Sequence, residues 1–313
     1  MKKVLIVGGA GYIGGFLTDY LCASDYEVTV YDNLLFEKRF MKDVDFIYGD
    51  IRDRKKLENI LPKYDAVVWL AGLVGDGACA VNPELTKNLN TDSVMWLVDN
   101  YEGKIIFPST CSIYGMNDDL IDESAIPNPL SLYAATKLEA ERYILRKRPD
   151  ALVFRLGTLF GLGDSYSRVR LDLVVNILSK KAALGEDLTV FGGEQWRPLL
   201  HVRDVATAIE YGIRHDIDGV YNLSYKNFMI HELATEIKEI VPQCKVEYID
   251  MKFEDLRNYR VETNKILDIG WKPMYNIRYG INQLVQLIRE KRIKNTEDSV
   301  YSNAAYMGDL NEF

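Results

Sequence analysis

The opening stretch MKKVLIVGGAGYIGG, residues 1–15, constrains the fold of this chain more than any other feature. Val4, Leu5, Ile6 and Val7 form the short apolar run that a buried parallel strand needs, and they break directly into glycines and a helical pattern. Gly9, Gly11 and Gly14 satisfy G-x-G-x-x-G, and Gly8, Gly11 and Gly14 give G-x-x-G-x-x-G. Such a turn asks for glycine three times: for tightness, for close approach of a pyrophosphate, and for close helix–strand packing. The helix start offers free N–H groups to phosphate oxygens, which brings Tyr12 and Ile13 into the same expected site. An acidic residue about 20 positions further on completes the pattern. Residues 27–31 (EVTVY) read as the second strand, and Asp32 and Asn33 follow it. A carboxylate there accepts from an adenosine ribose 2′-OH and repels a 2′-phosphate, so NAD is expected rather than NADP.

Composition narrows the partners. A net charge of −8 argues against nucleic acid or an anionic membrane as the main partner. No apolar run approaches the roughly 18 residues of a membrane span, and the N-terminal apolar segment is a strand rather than a signal peptide. The four cysteines (Cys22, Cys79, Cys111, Cys244) lack C-x-x-C spacing and the three histidines lie far apart, so no metal site is expected. Scattered cysteines of this kind fit reduced thiols in a cytoplasm.

Strands and helices alternate through the first half, which implies right-handed crossovers and a parallel sheet: a Rossmann-type doubly wound α/β fold. Helices are expected over residues 12–23, 55–61, 83–101 and 132–147, and strands over 45–48, 65–70, 104–107 and 151–155. Ligands in such folds bind beyond the carboxyl ends of the strands, where Asp50, Ile51, Leu70, Ala71 and Gly72 fall. From Gly157 the rhythm changes to a helix over 171–184, a strand over 188–191, a helix over 201–214 and a strand over 220–223. The expected division is an NAD-binding domain over 1–160, with 200–224 returning to it, and a smaller α/β substrate lobe occupying most of 161–313. Residues 294–313 are polar and weakly patterned, and read as a loosely held tail.

Tyr133 and Lys137 stand four apart on one expected helix, so both emerge on the same face. An ammonium near a phenol favours phenolate, which makes tyrosine a usable general base for an alcohol. Thr110, at the end of a central strand, is placed to hydrogen-bond the same hydroxyl.

With these motifs in hand, the sequence resembles an extended short-chain dehydrogenase/reductase of the nucleotide-sugar epimerase/dehydratase family, of the UDP-glucose 4-epimerase-like kind. The resemblance runs from GGAGYIGG through STCSIYG, SLYAATKLEAE and QWRPLLHVRDVA to LDIGWKP, and leaves out the tail. It implies that Tyr133 takes a proton from a sugar hydroxyl, usually at C4, while NAD accepts hydride. It also implies that Lys137 grips the nicotinamide ribose, that Thr110 assists, and that Asn90 belongs to the cofactor site. Arg197 in WRPLLH and Arg257 in LRNYRVE are the implied holders of a substrate diphosphate, and Asn176 closes the similar segment RLDLVVN as a further substrate contact. Relatives assemble through the helices beginning near Pro83 and Leu132, which implies a homodimer or homotetramer.

The residues after Thr110 discriminate within the family. Family 4,6-dehydratases carry Asp-Glu where this chain has Cys111 and Ser112, so dehydration is not expected. Family 3,5-epimerases place a cysteine two before the tyrosine that corresponds to Tyr114, whereas Cys111 stands three before it. The expected activity is therefore a 4-epimerase or 4-dehydrogenase on a GDP- or UDP-linked sugar. GLVGDGACAVNPELT and RLDLVVN resemble a bacterial subgroup of surface-polysaccharide enzymes, some of which oxidise GDP-activated heptoses. RLGTLFG lacks the asparagine by which UDP-galactose epimerases contact substrate. Two alternatives stay open: a 3,5-epimerase/4-reductase, and a regulatory protein that binds NAD without turnover. The intact Thr110, Tyr133 and Lys137 speak against the second.

Overall fold

A computed structural model of the chain describes residues 1–164, 166–249 and 257–311. Strands β1 (Lys3–Val7), β2 (Glu27–Asp32), β3 (Asp45–Tyr48), β4 (Ala66–Trp69) and β5 (Lys104–Thr110) come first in the chain. After β6 (Met116–Ile121), β7 (Leu152–Leu156) rejoins their sheet. The chain then forms β8 (Thr158–Phe160), β9 (Leu188–Phe191), β10 (Trp196–His201) and β11 (Gly219–Leu223). The main sheet has seven strands in the order β11-β7-β5-β4-β1-β2-β3, all paired in parallel. Val4 to Val7 and Val67 to Trp69 are fully buried, because helices cover both faces of the sheet. Each fully buried Val, Leu or Ile side chain contributes about 1.5–3 kcal/mol. The strand order reverses between β1 and β4, and it is there that a crevice opens beyond the carboxyl ends.

Three elements depart from the sequence reading in ways that shape the site. β5 does not stop at Phe107 but runs through Pro108 to Thr110. Its pairing with β4 ends at Ile106, so the missing N–H of Pro108 costs no bond on that side, while β7 pairs out to Thr110. Thr110 is therefore held by a sheet rather than by a loop. The expected helix over 83–101 is interrupted: Pro83–Lys87 and Ser93–Asn100 flank a π-helical turn at Asn88–Asp92, which buries Asn90. The first helix begins at Gly14 rather than Tyr12, leaving residues 8–13 as the turn.

A smaller lobe completes the molecule. β10 lies between β8 and β12 (Lys226–Met229), β9 pairs with β13 (Val246–Ile249), and β6 with β14 (Asn258–Val261). Phe160, Leu188, Leu199, Phe228, Leu233 and Ile281 form its core with helices Val174–Leu184, Ile230–Ile240 and Ile277–Arg289. His201 is the cap of helix Val202–Arg214: its ring accepts from the Arg203 N–H, and burial pushes its pKa down to about 4. The expected loose tail is instead docked. Helix Asn303–Asn311 packs on helix Asp76–Val81, Met307 is 2 % exposed, and Tyr306 lies 5.3 Å from Phe36, centroid to centroid. Glu312 and Phe313 lie outside the described residues.

Candidate active site

Two cavities open beside the carboxyl ends of the strands. The first is lined by the glycine turn, by Asp32 to Glu37, and by Ile51, Leu70, Ala71 and Gly72. The glycines of the turn serve different ends. Gly8 has φ +85°, and a methyl on it would lie 2.5 Å from the Ala71 nitrogen. At Gly14 a methyl would lie 2.4–2.6 Å from the Gly9 backbone, so this glycine is demanded by helix–turn packing. At Gly11 it would meet nothing closer than the Gly8 carbonyl oxygen at 3.4 Å. No packing within the protein explains Gly11; space for a phosphate does. Asp32 accepts from the Ala10 N–H (3.0 Å) and the Leu34 N–H (2.7 Å), one bond on each oxygen. Each oxygen keeps a further lone pair for a ribose hydroxyl. Burial pushes the Asp32 pKa up, against the lowering effect of these backbone bonds.

Several expected cofactor residues sit behind this wall rather than in it. Asn90 is 2 % exposed and grips the loop after β4: it accepts from the Leu73 N–H (2.8 Å) and donates to the Leu73 carbonyl (2.9 Å). Through these bonds it shapes the cleft by way of Leu73. Asp50 likewise turns aside, because Arg52 takes its carboxylate by two side-chain bonds and Asn33 donates to it at 3.3 Å. Asn33 itself lines the cleft. Tyr12 lines it with its ring while its hydroxyl donates to the Gly161 carbonyl at 2.6 Å. Asn176, expected at the substrate, is fully buried: it accepts from the Gly161 N–H and donates to the Arg170 carbonyl and the Tyr12 hydroxyl. It braces the joint between the two lobes instead.

Thr110, Tyr133 and Lys137 come together at the end of β5. Ser131 caps helix Leu132–Lys147 by accepting from the Ala134 N–H, and so fixes the start of the helix that carries the last two. Thr110 acts on the Tyr133 phenol from the end of β5 and pulls its pKa down. The phenol is not acidified in the way the sequence suggested. Burial pushes its pKa well up, and the groups that pull it down are Thr110 and Arg170, with Lys137 not among them. The Lys137 amine lies 4.0 Å from the centre of the Phe107 ring and is itself pushed down to about 7 by burial, with Glu141 and Cys79 acting in the opposite direction. Glu141 pairs with buried Arg155 at 2.6 Å and accepts from the Ser109 hydroxyl at 2.6 Å. None of Thr110, Tyr133 or Lys137 is in the wall of either cavity; Asp76 and Arg170, which act electrostatically on Tyr133, line the second.

That second cavity, of about 500 Å³, gathers charge from distant segments. Arg197 is 7 % exposed and donates to the carbonyls of Trp196 (2.8 Å) and Arg257 (2.5 Å). Arg257 pairs with Asp76 at 3.0 Å, and Arg170 pairs with Asp172 through two bonds of 2.9 and 3.0 Å. Asp76 also accepts from the Ser131 hydroxyl. Cys111 turns away from this space: fully buried, it donates to the Arg155 carbonyl, and burial holds it as a thiol. Cys79, buried beside Tyr133 and Lys137, is also held as a thiol, with its pKa pushed up to about 12.

Arg168, Arg170, Asp172, Asp76 and Asn303 were missed by motif reading. The alternation in RVRLD is the one local sign of two of these arginines sharing a face. Among the described residues no group of His, Cys, Asp and Glu could hold a metal, and no helix is long and apolar enough to cross a membrane.

Comparison with known proteins agrees with this architecture. A family model described as the NAD dependent epimerase/dehydratase family matches residues 4–224. The chain is 26 % identical over 304 residues to UDP-glucuronic acid decarboxylase 1 of Danio rerio, covering 91 % of this chain and 72 % of that protein. It superposes on UDP-glucose 4-epimerase of Thermotoga maritima, solved with UDP-glucose, with a TM-score of 0.80 and 25 % identity, covering 93 % of this chain and 100 % of the other. UDP-glucose 4-epimerase of Thermus thermophilus, solved with NAD, gives a TM-score of 0.77 at 26 % identity, covering 92 % and 99 %. With its Rossmann-type sheet and glycine turn, the chain belongs to the NAD-dependent epimerase/dehydratase family of short-chain dehydrogenases/reductases.

Proposed function

We propose that the protein is a nucleotide-sugar 4-epimerase that oxidises and re-reduces the C4 carbon of a UDP- or GDP-linked sugar. The observation that carries this reading is Thr110, fixed at the end of a sheet-held strand and acting on the Tyr133 phenol, together with a nearby cavity lined by Arg170, Arg197 and Arg257. NAD, when bound, accepts a hydride and can return it, and its nicotinamide carries positive charge. The glycine turn and Asp32 would hold it. Tyr133 takes the proton of the C4 hydroxyl, and Thr110 orients that hydroxyl and the phenol. Lys137, whose amine has no hydrogen-bond acceptor among the described residues, donates to the nicotinamide ribose. A guanidinium fork suits a diphosphate, which Arg197 and Arg257 hold.

Dehydration is disfavoured in this reading because Cys111 and Ser112 offer no acid: the thiol is buried on a carbonyl and the Ser112 hydroxyl lies 3.4 Å from the Tyr259 hydroxyl. Relatives named for UDP-sugars favour UDP over GDP. We place the enzyme in a cytoplasm, in the supply of sugars for a surface polysaccharide, and as a dimer through the helices of residues 83–100 and 132–147.

Incubation with UDP-, GDP-, dTDP- and CDP-sugars, followed by nicotinamide absorbance and product NMR, tests the proposal. An epimer without accumulated NADH is expected. Accumulating NADH would make the protein a dehydrogenase, and no reaction with any sugar would favour a binding protein.

A further inference from the structure

Arg168, Arg170 and Arg197 are buried arginines that line the clefts, and Arg155 is buried without lining either. Arg155 and Arg170 each face a carboxylate directly. Arg168, 6 % exposed, donates instead to neutral oxygens: the Asn303 side-chain carbonyl at 2.5 Å and the Val300 backbone carbonyl at 2.8 Å. Glu37 and Asp172 act on it through space, yet neither forms an ion pair with it among the described residues. Its guanidinium lies 4.0 Å from the centre of the Phe36 ring, and both residues line the cavity that contains the glycine turn. A buried cation with only neutral partners is costly to keep unless an anion completes its shell.

We infer that Arg168, presented by the C-terminal segment through Asn303 and Val300, pairs with the pyrophosphate of the bound dinucleotide. The glycine turn then supplies backbone N–H groups to that anion, and Arg168 supplies the countercharge. Asn303 is a positioning residue. Besides accepting from Arg168, it donates its side-chain amide to the Val74 carbonyl (2.7 Å) and its backbone N–H to Asp172 (2.9 Å). It thereby ties the loop after β4 to the segment bearing Arg168. The segment that lies outside the family-model match is thus part of the cofactor site.

The test is equilibrium binding by calorimetry to the full chain, freed of nucleotide, without any sugar, so that it stands apart from the proposed activity. Ligands are NAD, ADP, adenosine and UDP. For Arg168→Met, NAD and ADP should weaken by about ten- to a hundredfold, the loss of a charge-assisted hydrogen bond, while adenosine and UDP change by less than about twofold. Arg168→Lys should recover part of the loss. Unchanged ADP affinity in a folded Arg168→Met would overturn the inference. So would an equal loss for ADP and adenosine, which would mean that Arg168 only supports Phe36, or a loss confined to UDP, which would assign it to the other diphosphate. If Arg168→Met does not fold, Asn303→Ala carries the same test: ADP weakening more than adenosine supports the inference, and equal or no weakening overturns it.

Discussion

The cofactor cleft has two walls made in opposite ways. One is backbone: the turn of residues 8–13 contributes space and N–H groups, and its side chains matter mostly by being absent. The other is side chain: Arg168 and Asn303, 135 residues apart, are hydrogen-bonded to each other, and Arg170 is linked to Asn303 through Asp172. A backbone wall leaves little room for added atoms at Gly8 and Gly14, whereas a side-chain wall can be retuned one group at a time. The proposed proton-transfer residues, on β5 and helix Leu132–Lys147, belong with the first kind, since their placement follows from sheet register and a capped helix start.

Removing the chemistry without touching either wall gives the largest effect. Tyr133→Phe should lower turnover by about 10²–10⁴-fold, the range for a lost general base, while NAD binding is unchanged in the same titration. Wild-type turnover would end the proposed mechanism. Next comes the frame beneath the site: Glu141→Gln leaves the buried Arg155 guanidinium without its carboxylate and should cost about 3–5 kcal/mol in denaturant unfolding. Within the backbone wall, Gly14→Ala should destabilise by about 1–3 kcal/mol because its methyl strikes the Gly9 backbone. Gly11→Ala should leave stability within about 0.5 kcal/mol and weaken NAD instead. If both variants lose stability equally, the division of labour among the glycines fails.

The last effect is read as a slope rather than as a single value. Lys137 titrates near 7 in the folded protein against 10.5 ordinarily, so between these values the unfolded chain binds the extra proton. Stability from this group therefore rises with pH across that window, and falls as pH drops toward 7. Lys137→Met should flatten that part of the stability–pH profile, measured by urea unfolding at several pH values; an unaltered slope would show that the amine is not held neutral.

What the sequence disclosed follows the same division. Gly8, Gly11, Gly14 and Asp32 were legible because strand, turn and strand are local and their spacing is a recognisable pattern. Tyr133 and Lys137 were legible as a pair, since four residues on a helix fix a shared face. Their electrostatics were not: sequence spacing could not show that Phe107 faces the amine or that Arg170 is the cation acting on the phenol. Asn90 and Asn176 were expected to meet ligands from the family resemblance; only the fold shows that Leu73, Gly161 and Arg170 are their partners. Residues 294–311 looked unstructured because their anchors, Met307 and Asn303, are too few to make a periodic pattern, yet both are buried.

The docking of residues 299–307 also bears on the order of assembly. The seven-stranded sheet is complete at Leu223, and its hydrophobic layers need nothing from the segment that begins at Ser299, apart from Met307. A nascent chain can therefore raise the sheet, glycine turn included, while the far wall of the cleft is still unmade. The lining of the cleft is complete only once Arg168, Arg170 and Asn303 have joined the glycine turn and Asp32.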